Sequence, residues 1–366
     1  MSKNYDDYKP INPMPPRRRK NPGLTFIQYS IIILLVVALA VSGAYFMALH
    51  NSNDGQPQQP ENTEPPVEQP EEQPGEESGD NQGAETQHPE PDNELPPSVV
   101  DIENYEDVLF SADAIHKGSL IYVGENNKVV YPAADELASF LGAKTNSYQI
   151  SSNTMMINKD IIDNINSMMD AFFAETGKND VIVWTGYRDE ARQTQVYNEY
   201  VAKFGEEAAK TAVSKPGESD HHTALGIVLK VYRNGTPYEF SQMEGYSWIE
   251  ENCYKYGFVV RYPENKQNVT GIDYSSTCYL RYVGVPHAEY MVKNDKCLEE
   301  YLILLKDYTF GNVHFDYTMS DGTVYESYYV KAEVDFANNV FVPVPRSGEY
   351  TISGNNMDGF IVTVKK

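Results

Sequence analysis

Cysteine and basic residues are scarce in this sequence. Three cysteines in 366 residues, Cys253, Cys278 and Cys297, are too few for a disulfide framework, although one bridge is possible. Buried free thiols are the simpler interpretation. Lys and Arg together number 29 against 53 Asp and Glu, which gives a formal net charge of -24. Because nucleic-acid binding needs clustered cations to neutralise phosphates, this composition argues against a nucleic-acid partner.

Charged residues are absent from residues 23–49, a stretch dominated by Ile, Leu, Val, Ala and Phe. About 20 apolar residues cross the core of a bilayer, so this stretch predicts a transmembrane helix. A basic cluster at residues 17–20 precedes it, and the next Lys or Arg is Lys117. This asymmetry predicts a single-pass protein of the cell membrane, with residues 1–22 cytoplasmic and the rest extracytoplasmic. A cleaved signal peptide is the alternative, but its apolar core normally spans about 7–15 residues.

Residues 50–98 lack the apolar periodicity that a folded core requires and are rich in Pro, Glu, Gln and Gly. About a dozen Asp and Glu fall in this segment, with no Lys or Arg among them. Such a composition cannot bury enough apolar surface to offset chain entropy, and its like charges extend the chain. We interpret it as a disordered stalk, with a passive acidic tail as the alternative.

The spacing of hydrophobic residues changes near residue 310, from a mixture of helical and strand patterns to strand patterns alone. Before it, helical spacing predicts helices over residues 161–176, 189–204, 206–212, 246–256 and 298–306. Short apolar runs predict a hairpin over residues 119–130 and strands over 181–184, 258–260 and 279–283. After it, alternating runs separated by turns predict strands over residues 313–317, 325–334, 340–344, 350–353 and 360–364. The prediction is therefore an α+β domain over residues 99–310 and a small all-β module over residues 311–366, either a sandwich or an appended sheet.

Several motifs follow one another between residues 153 and 305. They are Thr185-Gly186-Tyr187-Arg188, Lys215-Pro216-Gly217-Glu218-Ser219-Asp220-His221-His222-Thr223, Trp248-Ile249-Glu250-Glu251-Asn252, Tyr256-Gly257-Phe258-Val259-Val260-Arg261-Tyr262-Pro263 and Arg281-Tyr282-Val283-Gly284. In this order they resemble the VanY-like D-alanyl-D-alanine carboxypeptidases, zinc peptidases that act on peptidoglycan stem peptides. The resemblance implies a core with a central antiparallel sheet and flanking helices.

The first metal motif of that family is Ser-x-His-x-x-Gly-x-Ala-x-Asp, whose His and Asp bind zinc. Ser219 and His221 match this pattern, whereas Val228 stands at the Asp position. The two small positions are also changed, to Ala224 and Gly226. A small shift of register does not restore the carboxylate, because residues 223–238 contain no Asp or Glu.

The second family motif is Glu-x-x-His, in which Glu is the general base and His the remaining zinc ligand. Ser276 stands at the Glu position and Tyr279 at the His position. Catalytic zinc needs three protein ligands and an open water position, and the metal-bound water needs a base. Of the family's ligands only His221 remains, so we expect no zinc cofactor and no intact catalytic residue.

Four other residues are considered as replacements. His222 neighbours His221, but adjacent residues of an extended chain point to opposite faces. His287 follows the Arg-Tyr-Val-Gly motif and is better interpreted as structural. Asp273 is the best replacement carboxylate near the second motif. Cys278 is a conceivable nucleophile with a His partner, but on a strand it faces away from position 279 and is more simply a packed thiol.

The family positions that contact the substrate are matched better in this sequence than the positions that bind zinc. Arg188 matches a substrate-contacting Arg of the family, and a guanidinium suits a carboxylate or a carbonyl. Gln193 matches a family Gln one helical turn later, and Ser219 is a hydroxyl beside the first ligand position. The alternatives are a surface ion pair for Arg188, a solvated helix position for Gln193 and a backbone cap for Ser219. The retained Arg281 and Tyr282 are equally explained by strand packing.

Three functions follow from this pattern. The first is a catalytically inactive relative that binds peptidoglycan stem peptide or another partner in the cell envelope. The second is an active zinc D,D-carboxypeptidase that trims D-Ala with other ligands. The third is a structural or interaction protein whose β module is the binding surface.

Overall fold

The computed structural model describes residues 102–273 and 277–366. The predicted cytoplasmic tail, transmembrane helix and stalk lie outside the described residues, as does Ser276. Within the two described ranges, no helix is long and apolar enough to span a bilayer.

The described chain contains seven α-helices and fourteen strands. The helices are α1 (Ile162–Thr176), α2 (Glu190–Phe204), α3 (Glu206–Ala212), α4 (Ser247–Asn252), α5 (Gln267–Thr270), α6 (Val285–Lys293) and α7 (Leu298–Leu305). The strands are β1 (Tyr105–Ser111), β2 (Leu137–Ser139), β3 (Gln149–Ile150), β4 (Met156–Asn158), β5 (Val181–Thr185), β6 (Gly226–Arg233), β7 (Thr236–Tyr238), β8 (Phe258–Val260), β9 (Cys278–Tyr282), β10 (Phe315–Thr318), β11 (Val324–Lys331), β12 (Asn339–Pro345), β13 (Glu349–Gly354) and β14 (Gly359–Lys365).

The central sheet has the strand order β3-β5-β6-β9-β8, with β7 paired to the end of β6. Every pair is antiparallel except β3 with β5, which is parallel and departs from the predicted antiparallel sheet. Because side chains alternate along a strand, the sheet has two distinct faces. One face carries Ile227 and Leu229 and packs on the buried side of α1, where Ile165 and Phe172 lie. The other face carries Val228 and Tyr279.

Helix α1 confirms the helix that apolar spacing predicts over residues 161–176. Its buried residues recur at helical spacing and form one stripe: Ile162, Ile165, Met168, Met169 and Phe172. Gly177 ends the helix with φ 69°, a left-handed conformation that glycine adopts without a Cβ penalty. The sequence therefore fixes both the buried face and the end of this helix.

The C-terminal part is a layered β module. Strands β10, β11, β14 and β13 form one antiparallel sheet in that order. One of its faces packs on α6 and α7 through Tyr329 and Ile361. The other face packs on β12 and β1 through Tyr328 and Val362. Strand β1 is thus part of this layered module through seven paired positions with β12, although it precedes residue 311.

The predicted hairpin over residues 119–130 is wrong. Only a turn forms there, closed by an isolated bridge between Gly124 and Asn127. The backbone groups that a hairpin would pair have other partners. The Tyr122 amide donates to the Asn355 carbonyl at 3.0 Å. The Asn356 side-chain amide donates to the carbonyls of Tyr122 at 2.7 Å and Lys128 at 3.1 Å.

Candidate functional site

The Thr-Gly-Tyr-Arg motif begins at Thr185, the last residue of β5, and lies against the segment that carries His221. His221 Nδ1 donates to the Gly186 carbonyl at 2.9 Å, and the Arg188 amide donates to the His221 carbonyl at 3.1 Å. A Cβ at Gly186 would lie 2.8 Å from the Met156 carbonyl oxygen, so a side chain has no room there. These contacts hold the two motifs together.

Asp220–Thr223 forms a 3₁₀ turn rather than the extended segment assumed from sequence. The Ser219 hydroxyl caps it by accepting from the His221 amide at 3.3 Å. The turn ends at Ala224, which has φ 59° and occupies the family's Gly position. A left-handed backbone is favourable for glycine and costs an alanine roughly 1–2 kcal/mol. The backbone path therefore explains why the family pattern has Gly there.

His221 packs face to face with Tyr279. Their ring centroids are 4.6 Å apart and their planes differ by 14°. Val228 pairs with Tyr279 across β6 and β9, and both belong to one small apolar cluster with Tyr262. Gly226 makes room for the tyrosine, because a Cβ there would lie 2.6 Å from Tyr279 Oη. The altered positions 226, 228 and 279 thus form one packed arrangement around the retained histidine.

The residues at this position do not fit a zinc ion. His221 and Tyr279 are 3% and 2% exposed, and Val228 has no donor atom. Burial, with a smaller contribution from Arg188, lowers the pKa of His221 well below its usual value, so the imidazole is neutral. Across residues 102–273 and 277–366, no group of three or more His, Cys, Asp or Glu is placed to hold a metal. A single imidazole is not a hydrolytic zinc site.

The replacement residues considered from sequence lie elsewhere or are already engaged. His222 donates from Nδ1 to the Arg188 carbonyl at 2.7 Å and accepts at Nε2 from the Gly217 amide at 3.1 Å. Asp273 is exposed. Cys278 lies in the apolar core on the opposite face from Tyr279, as predicted, and burial raises its thiol pKa well above the usual value. The three cysteines are buried and free.

His287 is structural, as predicted. It lies on α6, is 4% exposed and faces α7 and β14. Its ring nitrogens lie 2.8 Å from Tyr301 Oη and 3.1 Å from Thr363 Oγ1. Burial lowers the pKa of His287 to about 4, so the ring is neutral near pH 7.

The predicted substrate-binding residues differ in exposure. Gln193 is 1% exposed and bridges two groups, accepting from Arg188 Nη1 at 3.1 Å and donating to the Ser214 carbonyl at 2.6 Å. It is therefore not the solvated helix residue offered as an alternative. Ser219 is 3% exposed and serves as a cap. Arg188 is partly exposed, and Thr185 also orients it by accepting at 3.3 Å.

A buried charge network lies directly behind His221. Asp220 accepts from Arg261 at 2.5 Å and from Arg281 at 3.0 Å, and all three side chains are at most 2% exposed. Burial would raise the Asp220 pKa, but the two guanidinium groups hold it below its usual value. Arg261 also makes a bidentate pair with Glu299 of α7. The network links the 3₁₀ turn to a helix that packs on the β module.

The sequence analysis did not predict the buried charge network, because it gave Asp220 and Arg261 no role within their motifs. Their positions could have indicated burial: Asp220 lies between Ser219 and His221, and Arg261 follows a buried strand. A charged residue in a segment that must be buried implies a buried partner of opposite charge. Nothing in the sequence identifies which partner, because Asp220 and Arg281 are 61 residues apart.

A cavity of about 570 Å³ adjoins the site. Three segments and Glu299 wall it; the segments are the Tyr122–Asn127 turn, residues 210–218 and residues 261–272. Tyr262 and Ile272 line the cavity and also pack on Val228 and Tyr279. Ser214, which Gln193 ties to Arg188, lines it as well. The cavity therefore lies on the sheet face that carries the altered metal positions.

Comparisons with known proteins agree with the fold and the motif order. The family model for VanY, D-alanyl-D-alanine carboxypeptidase, matches residues 154–285. A D-alanyl-D-alanine carboxypeptidase of Enterococcus faecium is 32% identical over 269 residues, covering 72% of this chain and 80% of the relative. The putative carboxypeptidase YodJ of Bacillus subtilis is 37% identical over 154 residues, covering 41% of this chain and 55% of the relative.

A solved structure extends the similarity beyond the family model. The vancomycin-resistance D,D-dipeptidase VanXYg, in complex with a D-Ala-D-Ala phosphinate analogue, aligns with a TM-score of 0.60 and 26% identity. The alignment covers 72% of this chain and 99% of that structure.

Proposed function

Because this chain belongs to the VanY family of D-alanyl-D-alanine carboxypeptidases, we propose that it binds D-Ala-ended peptidoglycan stem peptides without hydrolysing them. The observation that carries the proposal is the stack of Tyr279 on His221, with Val228 beside it. A family member that hydrolyses these peptides needs three zinc donors where this chain has one imidazole and an aromatic ring.

Loss of hydrolysis follows from the chemistry of these side chains. Without a metal-bound water there is neither an activated nucleophile nor a Lewis acid for the scissile carbonyl. Neutral His221 donates its Nδ1 proton to Gly186, and its ring face is covered by Tyr279. The neighbouring His222 uses both nitrogens for backbone groups. Among the described residues, the two histidines of this cluster are therefore held by backbone groups and by an aromatic ring rather than by other zinc donors.

Peptide binding is supported by the residues that match the family's substrate-contacting positions. Arg188 is partly exposed and held in place by Gln193 and Thr185. A pre-oriented guanidinium binds a carboxylate at a lower entropy cost than a mobile side chain does. We assign the terminal carboxylate of the peptide to Arg188, with Gln193 and Ser219 as residues that shape the site around it.

The location proposed for this protein is the outer face of the cell membrane. The uncharged stretch at residues 23–49 and the basic cluster before it support a single-pass anchor. The acidic stalk at residues 50–98 would hold the domain of residues 99–310 and the module of residues 311–366 away from the bilayer.

The test measures zinc content, peptide binding and D-alanine release on one preparation of the full-length chain in mild detergent. After dialysis with trace zinc restored, we expect near-zero zinc per chain and no release of D-alanine from Nα,Nε-diacetyl-L-Lys-D-Ala-D-Ala. Calorimetry with the same peptide should show binding that Arg188→Ala abolishes. Arg192→Ala, at an exposed arginine in the first turn of α2, is the matched control and should bind as the wild type does.

Two results would overturn the proposal in different ways. One tightly held zinc with D-alanine release would establish an active carboxypeptidase with ligands other than those of the family pattern. Absence of both zinc and peptide binding would leave the third function, an interaction protein. One observation favours that function: Leu109 and Phe341 pair across β1 and β12, and both are more than half exposed.

A further inference from the structure

Most of the charged side chains that line the cavity beside the altered metal position are already paired. Arg261 pairs with Glu299, Glu218 with Lys128 and Lys210 with Glu207. Lys215 and Glu125 also line the cavity; both are exposed, and neither forms an ion pair with any residue of the described ranges. Because Glu125 has no ion-pair partner among the described residues, it suits a cationic group on a ligand whose carboxylate is held elsewhere, at Arg188.

The wall that carries Glu125 is held by the C-terminal β module. Asn356, in the turn between β13 and β14, donates from Nδ2 to the carbonyls of Tyr122 and Lys128. The Asn127 side-chain amide donates back to the Asn356 carbonyl at 3.0 Å. His116 Nδ1 lies 2.6 Å from Asn356 Oδ1 and fixes the amide orientation. Asn356 is 5% exposed, so this clamp is shielded from water.

We infer that this cavity binds a zwitterionic peptide, and that Asn356 is a positioning residue that fixes its Glu125 wall. The inference rests on the proposed function, because it gives the bound stem peptide a second contact surface beyond Arg188. A cationic side chain of the peptide would lie against Glu125, while the remainder of the peptide runs past Ser214, which Gln193 connects to Arg188. The β module is then part of the binding site rather than an appendage.

The experiment compares two peptides on the full-length chain: Nα-acetyl-L-Lys-D-Ala-D-Ala, with a free ε-amine, and its Nα,Nε-diacetyl form. The wild type should bind the free-amine peptide about fivefold more tightly, the upper range for one solvent-accessible ion pair. Asn356→Gly should bring the two dissociation constants together. Glycine is chosen because Asn356 has φ 58°, which glycine adopts without strain.

The ratio of the two dissociation constants separates positioning from folding. General destabilisation lowers the active fraction for both peptides equally and leaves the ratio unchanged. Lys306→Ala is the matched control, since it removes the 2.6 Å ion pair to Asp358 in the same turn without touching the Tyr122–Asn127 wall. It should keep the wild-type ratio. Glu125→Gln, at an exposed position, should abolish the preference even if Asn356→Gly folds poorly.

The measurements distinguish failure of the cavity inference from failure of the proposed peptide binding. Equal affinity of the wild type for both peptides, or a preference that survives Glu125→Gln, would overturn the cavity inference while peptide binding itself still stands. Loss of preference in Glu125→Gln with a wild-type ratio in a folded Asn356→Gly would overturn the positioning role. No binding of either peptide by the wild type would overturn the proposed function, and this inference with it.

Discussion

Tyr279 lies face to face with His221, with ring centroids 4.6 Å apart. A strand pairing brings Val228 beside the tyrosine, and Gly226 leaves the space that its hydroxyl occupies. Changes that look separate in the sequence are therefore one packing arrangement.

Gly226→Ala should destabilise the protein by about 1–3 kcal/mol, the usual cost of overpacking a filled core. The added Cβ would lie 2.6 Å from Tyr279 Oη and 2.8 Å from a ring carbon. In a Tyr279→His background the smaller ring removes that clash, so the same change should cost at least about 1 kcal/mol less. Urea denaturation of the four proteins of this cycle measures the coupling. Additive costs would show that Gly226 is not there to accommodate the tyrosine.

The double variant Val228→Asp, Tyr279→His should gain tight zinc binding, with close to one zinc per chain. Positions 228 and 279 are directly paired on neighbouring strands, and His221 already stacks on position 279. Three donors of the correct chemistry would then converge. The control Val228→Ala, Tyr279→Phe opens similar space without donors and should bind none. Metal analysis that finds no zinc in the double variant would show that backbone geometry, and not only the side chains, has changed.

Asp220→Asn should cost about 3–5 kcal/mol of unfolding free energy, because it leaves buried guanidinium charge uncompensated. Arg281 is fully buried and has Asp220 as its carboxylate partner. Glu106→Gln, at the exposed pair with Arg346, is the comparison and should cost less than about 1 kcal/mol. Chemical denaturation at pH 7 measures both. A loss below about 1 kcal/mol for Asp220→Asn would contradict a structural role for this network.

Unfolding free energy should fall as the pH drops from about 6.5 to about 4, because His287 titrates over that window. Its folded pKa is about 4 against a usual value of 6.5, so the unfolded chain binds the proton first and acid favours unfolding. The contribution of His287 is at most roughly 3.4 kcal/mol, at 1.36 kcal/mol for each pKa unit between 6.5 and 4. His287→Gln should flatten the stability profile in that window while lowering stability at pH 7. An unchanged slope would show that other groups set the acid sensitivity.

Local patterns predicted the elements better than they predicted the side-chain contacts. Apolar spacing identified α1 and the five strands after residue 310, because one buried face repeats within each element. The motif order identified the core fold, and the family match confirms it. The hairpin at residues 119–130 failed because Asn355 and Asn356, more than 220 residues away, take its backbone groups.

The candidate site shows the same limit. The sequence identified His221, Val228 and Tyr279 by position, but not that Tyr279 stacks on His221 or that Gly226 accommodates it. Gln193 was ambiguous because a polar helix residue gives no sign of burial, and only the contact to the Ser214 carbonyl shows that it is internal. The buried set of Asp220, Arg261, Arg281 and Glu299 depends on contacts 38 to 61 residues apart, which no local pattern encodes.

Strand β1 has a mechanical consequence. It is the first described strand, yet all seven of its residues pair with β12, and the layer between them and the four-stranded sheet is apolar. Tension that arrives along the chain from the residues before it would be borne first by this pairing.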